Sequence, residues 1–286
     1  MQWKGRRKSS NISHRGRGSR SVALGGGGLL LGLIILLLTG DPMAALQVGM
    51  GGGNQPRQQT TQNEPMTQKE QDLYDYSAVV LADTEDAWNE ILKDYDVQYR
   101  EPKLHVFKDS VNSGCGLANS GMGPFYCSAD ETIYMDLSFY DELINKFGAD
   151  KGDFILSYVI SHEVAHHVQN VTGILGEVHQ KRARVSETEA NELTVRLELQ
   201  ADYLAGVVAR YQKDKGYLDP GDIDEAISAA WSIGDDTIQK KQVGYVIPES
   251  FTHGTSDQRS RWYKKGYDAG NLSEWDSFSP PNVEDL

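Results

Sequence analysis

Two histidines four residues apart enclose a glutamate in the run Ser161-His162-Glu163-Val164-Ala165-His166. The motif lies in a stretch that reads as helix, and on a helix positions four apart share one face. His162 and His166 can then aim at a single metal ion. Glu163 falls beside it, where a carboxylate can take a proton from water. This pattern constrains the fold more than any other in the chain. Catalytic zinc is held by three protein groups and keeps one open position, so a second element must bring the missing ligand to this helix face.

Arg196-Leu197-Glu198-Leu199-Gln200-Ala201-Asp202 offers that element. Glu198 and Asp202 are again four apart. They sit among Leu197, Leu199, Ala201, Leu204 and Ala205, which sets them apart from a solvated charged face. Glu198 is the expected third ligand. Asp202, one turn on, is expected to accept the free N–H of a ligating histidine and fix its tautomer. His167 lies about 140° round the helix from His162 and is expected to pack elsewhere. His14, His105 and His179 have no partner at metal spacing.

These motifs, with others, resemble the bacterial putative neutral zinc metallopeptidase family (YpfJ-like). The resemblance includes Met1 to Arg7, Cys115-Gly116, Gly123 to Cys127 and Ile133 to Tyr140. It continues through the His162 motif, Glu198 to Asp202, Ser250 to Ser256 and Gln258-Arg259. It implies one Zn2+ per chain on His162, His166 and Glu198, with Glu163 as general base and a peptide or protein as substrate. The Glu-x-x-Ala-Asp pattern is also similar to that of gluzincins. In their membrane-linked branch a late histidine, followed six residues on by arginine, serves the active site. His253 and Arg259 have this spacing. By that likeness His253 hydrogen-bonds the oxyanion and Arg259 orients an acid such as Asp202. The same stretch also reads as a loop feeding a helix, capped by Thr255 and Gln258.

Charge is partitioned along the chain. Residues 1–21 carry seven basic side chains and no acidic one, and the remainder carries 21 basic against 41 acidic. An acidic body argues against nucleic acid as a partner. Val22 to Leu38 is apolar, near the lower length limit for a membrane-spanning helix. Its basic flank predicts a cytoplasmic N-terminus and an extracytoplasmic body. A cleaved signal peptide is the rival, but Thr39 to Ala45 lacks a good small-x-small site. An uncleaved anchor in a bacterial inner membrane is therefore favoured, with the bilayer as a partner through 22–38. Residues 39–70, rich in Gly, Gln, Thr and Asn, read as a flexible linker. Cys115 and Cys127 are expected to form a disulfide in such a compartment. The alternative, a zinc pair, has no Cys-x-x-Cys or nearby histidine to support it.

Residues 71–286 are expected to form one α+β domain, mostly helical and zincin-like, with a small sheet. Helices are expected over Gln71 to about Tyr95, Asp153 to Val171, Ser186 to about Asp214, from Asp219-Pro220, and over Thr255 to about Tyr267. Strands are expected at Lys103 to Phe107 and Thr132 to Leu137, the latter a candidate substrate-binding edge by analogy. Glu284 and Asp285 are expected to fray. The functional expectation is a membrane-anchored zinc metallopeptidase. Its alternative is a zinc-stabilised extracytoplasmic binding module without turnover.

Overall fold

The computed structural model describes residues 1–14 and 65–286. The expected span at 22–38, the basic residues from Arg15 to Arg20 and most of the 39–70 linker lie outside the described residues. Among the described residues no helix is long and apolar enough to cross a membrane. The chain divides into two compact units, where the sequence reading expected one domain. A helical unit comprises Met1–Ser9, Asp75–Glu101 and Tyr140–Leu286, and a sheet unit comprises Ser10–Tyr74 and Pro102–Phe139. Helix α1 (Gln68–Ile91) contributes to both and starts three residues earlier than expected. The α+β class stands, mostly helical with a small sheet.

In the sheet unit the strands are β1 (Ile12–His14), β2 (Lys103–Phe107), β3 (Ser110–Ser113), β4 (Gly116–Asn119), β5 (Phe125–Cys127) and β6 (Thr132–Asp136). Four of them form a sheet in the order β1-β2-β6-β5, and β3 and β4 form a separate antiparallel pair. β1, β2 and β6 run parallel, and β5 is antiparallel to β6. β6 therefore has a neighbour on each side, not the open edge that strand addition requires. Its five residues are all buried, which fits an interior strand better than a binding edge. The Cys115–Cys127 disulfide forms as expected. Cys127 is buried against Phe107 and Tyr134, so the bridge ties the β3–β4 connection to the sheet's own apolar cluster.

The helical unit contains α2 (Phe139–Glu142, largely), α3 (Phe154–Val171), α4 (Ile174–Arg182), α5 (Glu187–Asp214), α6 (Asp222–Ser232), α7 (Asp235–Val243) and α8 (Ser256–Ala269). α3 is buried along nearly its whole length, so its two-histidine face must meet another helix rather than water. That helix is α5, which packs against α3, α4 and α8. α5 begins with the expected capping box of Ser186 and Glu189, and α8 with that of Thr255 and Gln258. The helix expected from Pro220 starts two residues later, at Asp222, after Gly221 turns the chain with φ of 101°. His179 lies in α4.

α5 and α8 approach closely because each presents a glycine at the crossing. A Cβ at Gly206 would stand 2.0 Å from the Tyr263 carbonyl oxygen, and one at Gly266 would stand 1.9 Å from that of Tyr203. Two further expectations are corrected at the chain ends. Glu284 and Asp285 sit in a 3-10 turn whose neighbours are anchored: Gln258 donates to the Val283 carbonyl, and the Arg261 guanidinium donates to that of Leu286. The first fourteen residues, expected as part of a cytoplasmic tail, belong to the folded units. Arg6 pairs with Asp83, Arg7 with Glu85 and Lys8 with Asp75, so carboxylates of α1 neutralise the charges that suggested a free basic tail.

Gly206→Ala should lower the stability of the protein by about 1–3 kcal/mol despite alanine's better helix propensity, because the added methyl forces α5 and α8 apart. Urea unfolding followed by circular dichroism measures it; an unchanged midpoint would show that the crossing tolerates separation.

Candidate metal centre

Three side chains from two helices converge in the helical unit. His162 and His166 project from α3, and Glu198 from α5. One ligand atom of each lies within 4.8 Å of the others. His162 Nε2 is 3.0 Å from Glu198 Oε2, and His166 Nε2 is 3.4 Å from Glu198 Oε1. The three residues named as ligands from sequence are therefore together, and both histidines present the same ring nitrogen.

Hydrogen bonds at the far side of each ring fix that choice. His162 Nδ1 donates to Asp202 Oδ1 at 2.9 Å, since a carboxylate can only accept. Asp202 is fully buried and receives two more groups. Arg259 reaches it with Nε at 2.8 Å and Nη2 at 3.1 Å, and Tyr158 donates its hydroxyl at 2.7 Å. The Arg259–Asp202 pairing expected by analogy is present. It joins α8 to α5, and His162 joins α5 to α3.

His166 has its own support, which the sequence reading missed. Its Nδ1 donates to Gln169 Oε1 at 2.9 Å. The orientation of that amide is fixed, because Gln169 Nε2 donates to the Leu197 carbonyl at 2.8 Å and to Gln200 Oε1 at 3.0 Å. Gln169 is three residues beyond His166, on the same helix face, so the signal was available. Tyr158, four residues before His162, could have been found by the same rule. His167 turns away, hydrogen-bonded to the Arg100 carbonyl and edge-on to Tyr99, a packing role as expected. His105 meets Ser13 in the sheet unit.

His253 lies on the loop before α8. The carboxylate Oδ2 of Asp235 accepts three consecutive backbone N–H groups, from Thr252 at 2.7 Å, His253 at 2.6 Å and Gly254 at 3.2 Å. This clamp holds the loop. No spacing in the sequence announced Asp235. The His253 ring is 3.4 Å from Asp235 Oδ1 through Nδ1, and its charge acts on both Glu163 and Glu198.

The electrostatics separate two kinds of carboxylate. Burial would raise the pKa of Glu198, but the charges of His166 and His253 outweigh it and hold the group ionised well below its ordinary range. Asp202 is likewise held low, with Arg259 and His162 overriding burial. Burial would depress His162, yet Asp202 and Glu198 push it up to about 10. Glu163 behaves oppositely: burial dominates and raises it. Among the described residues no group hydrogen-bonds its carboxylate.

This donor set suits zinc. Two neutral imidazoles and one carboxylate are a known catalytic combination, and hydrogen-bond acceptors behind both rings leave Nε2 for the ion. A second acidic group, Asp153, Asp222 and Glu225, also has metal-like spacing. The Met1 ammonium fills it instead, 3.0 Å from Asp153 Oδ1 and 3.2 Å from Asp222 Oδ1.

Comparison with known proteins agrees with this chemistry. The family described as "Putative neutral zinc metallopeptidase" matches residues 1–278. "Uncharacterized protein YpfJ" of Escherichia coli is 42% identical over 287 residues, covering 97% of this chain and 99% of that protein. "Uncharacterized protein Rv2575" of Mycobacterium tuberculosis is 42% identical over 195 residues, 65% of each chain. No solved structure matches the chain.

Gln169→Ala should weaken zinc affinity by about 10–100-fold with the fold retained; competition against a chelating dye measures it, and parental affinity would remove Gln169 from the site. Zinc uptake should also depend on pH in a defined direction. The ion must replace the proton shared at His162 Nε2, whose folded pKa of about 10 means that the proton is present at neutrality. Affinity should therefore rise with pH up to about 10, with proton release on binding visible by calorimetry in buffers of different ionisation enthalpy. A pH-independent affinity would contradict the assignment.

Proposed function

The chain belongs to the neutral zinc metallopeptidase family, and on that premise we propose that it hydrolyses peptide bonds with water activated at the His162–His166–Glu198 centre. The observation that carries the proposal is Glu163: a buried carboxylate beside three convergent ligands, raised in pKa and without a hydrogen-bond partner among the described residues. Burying such a group costs stability, and the ligand set has no structural need of it.

A bound zinc ion would supply a Lewis acid that acidifies water and polarises the scissile carbonyl. Glu163 takes the proton of the attacking water and then passes it to the leaving amine. The raised pKa suits both halves of that exchange, because a base that is too weak cannot take the proton and one that is too strong cannot release it. His253, positioned by Asp235 through its backbone and ring, donates to the developing oxyanion. Asp202 keeps His162 in the required tautomer, and Arg259 with Tyr158 keeps Asp202 ionised and aimed.

The substrate is a peptide or protein rather than a nucleic acid, in keeping with an acidic body. The disulfide favours an oxidising compartment outside the cytoplasm. Membrane attachment is proposed on the apolar composition of 22–38 alone. A zincin-like arrangement is proposed on the ligand helix and the later glutamate helix.

Glu163→Gln should retain one zinc per chain and lose about 10²–10⁴-fold in cleavage of a peptide library. Zinc retention with unchanged cleavage would reassign the base. Zinc in both proteins with no cleavage in either would favour the non-catalytic binding module.

A further inference from the structure

The apolar run at 22–38 and its basic flank suggest a single crossing with opposite ends on opposite sides. The folded residues on either side of it point elsewhere. The chain enters the 15–64 interval from β1 and leaves it into α1, and both ends of that interval belong to one compact unit. β1 is an integral strand of the sheet: Ile12, Ser13 and His14 pair in register with Leu104, His105 and Val106 of β2. The Leu104 backbone N–H donates to the Asn11 carbonyl at 2.9 Å. His14 stands edge-on to Tyr74 of α1 with ring centroids 6.3 Å apart. On the far side of the interval, Glu70 in the first turn of α1 pairs with Lys108 at 3.0 Å.

The residues before β1 are equally committed, within the helical unit. The Ser9 N–H donates to the Ala78 carbonyl at 2.9 Å. Arg7 donates to Glu85 at 2.9 Å and to the Ala82 carbonyl at 2.6 Å. Arg6 pairs with Asp83 and lies over the Tyr217 ring at 3.3 Å. A side chain engaged this way cannot also be held at a lipid headgroup. Four of the seven basic residues behind the positive-inside expectation lie in this described segment, and three of them have carboxylate partners in α1.

A bilayer's hydrocarbon core is about 30 Å thick. Backbone pairs of 2.9 Å and ring contacts of about 6 Å cannot form across it. We propose that residues 1–14 and 65–286 lie on the same side of any membrane the chain meets. The N-terminal segment is then a structural part of the folded units. This inference stands whether or not the metal centre is catalytic.

The test uses the full chain in the bacterial cell that makes it. Ser10→Cys reports on the N-terminal segment and Thr188→Cys on α5. Both positions are exposed, and the native cysteines are engaged with each other. Each variant is treated with a membrane-impermeant maleimide-polyethylene glycol before and after permeabilisation, and read as a gel shift. The proposal expects matched behaviour: both labelled in intact cells, or both labelled only after permeabilisation. Labelling of Thr188→Cys alone, with Ser10→Cys protected until permeabilisation, would overturn it. As a check that does not depend on labelling, Ser13→Cys with His105→Cys, opposite each other across β1 and β2, should be joined by a short bifunctional maleimide in the same cells. No cross-link there would overturn the strand pairing on which the proposal rests.

Discussion

The hydrogen bonds and ion pair at Asp202 hold the centre together. One fully buried carboxylate accepts from His162 on α3, from Tyr158 on the same helix and from Arg259 on α8, while itself belonging to α5. Three helices thus meet at two oxygen atoms. A buried ion pair adds little net stability compared with apolar packing, but removing one partner strands a charge at a cost of about 3–5 kcal/mol. The arrangement therefore makes better sense as specification than as glue. It sets which nitrogen of His162 faces Glu198. The glycine crossing of α5 and α8 serves the same end, because a wider crossing would take Arg259 out of reach of Asp202.

The ligand set was legible because helical periodicity is local. His162 and His166, and Glu198 and Asp202, each declare their shared face without any knowledge of tertiary structure, and burial of the apolar residues around them forces the two faces together. Gln169 and Tyr158 obey the same periodicity, at i+3 from His166 and i−4 from His162, but an uncharged polar residue there carries no metal-ligand signal of its own. Asp235 lay beyond sequence reasoning: it accepts backbone N–H groups from a loop about twenty residues downstream, a contact that no spacing rule encodes. The sheet was read only in part for a similar reason. β2 and β6 show alternation, whereas β1 and β5 are three-residue strands whose pairing is decided by distant partners. The edge role expected of β6 by analogy fails because β5 covers the side of β6 that β2 leaves free.

The basic N-terminus illustrates how one composition can serve two physical ends. Positive charge beside an apolar run is a topology signal when it faces the membrane, and an ordinary set of ion pairs when carboxylates are in reach. The acidic residues of α1 were plain in the sequence, yet nothing local connects residue 6 with residue 83. The disulfide adds an independent constraint, because stable bridges are rare in a reducing cytoplasm. β1 and the bridge belong to the same compact unit.

Two imidazoles and one carboxylate, of His162, His166 and Glu198, are together the candidate metal site. X-ray absorption at the zinc edge of the purified protein tests this most directly. The expected spectrum shows two histidine nitrogens and oxygen ligands at about 2.0–2.2 Å with no sulfur. A sulfur shell near 2.3 Å, or absence of stoichiometric zinc from protein purified without chelators, would contradict it.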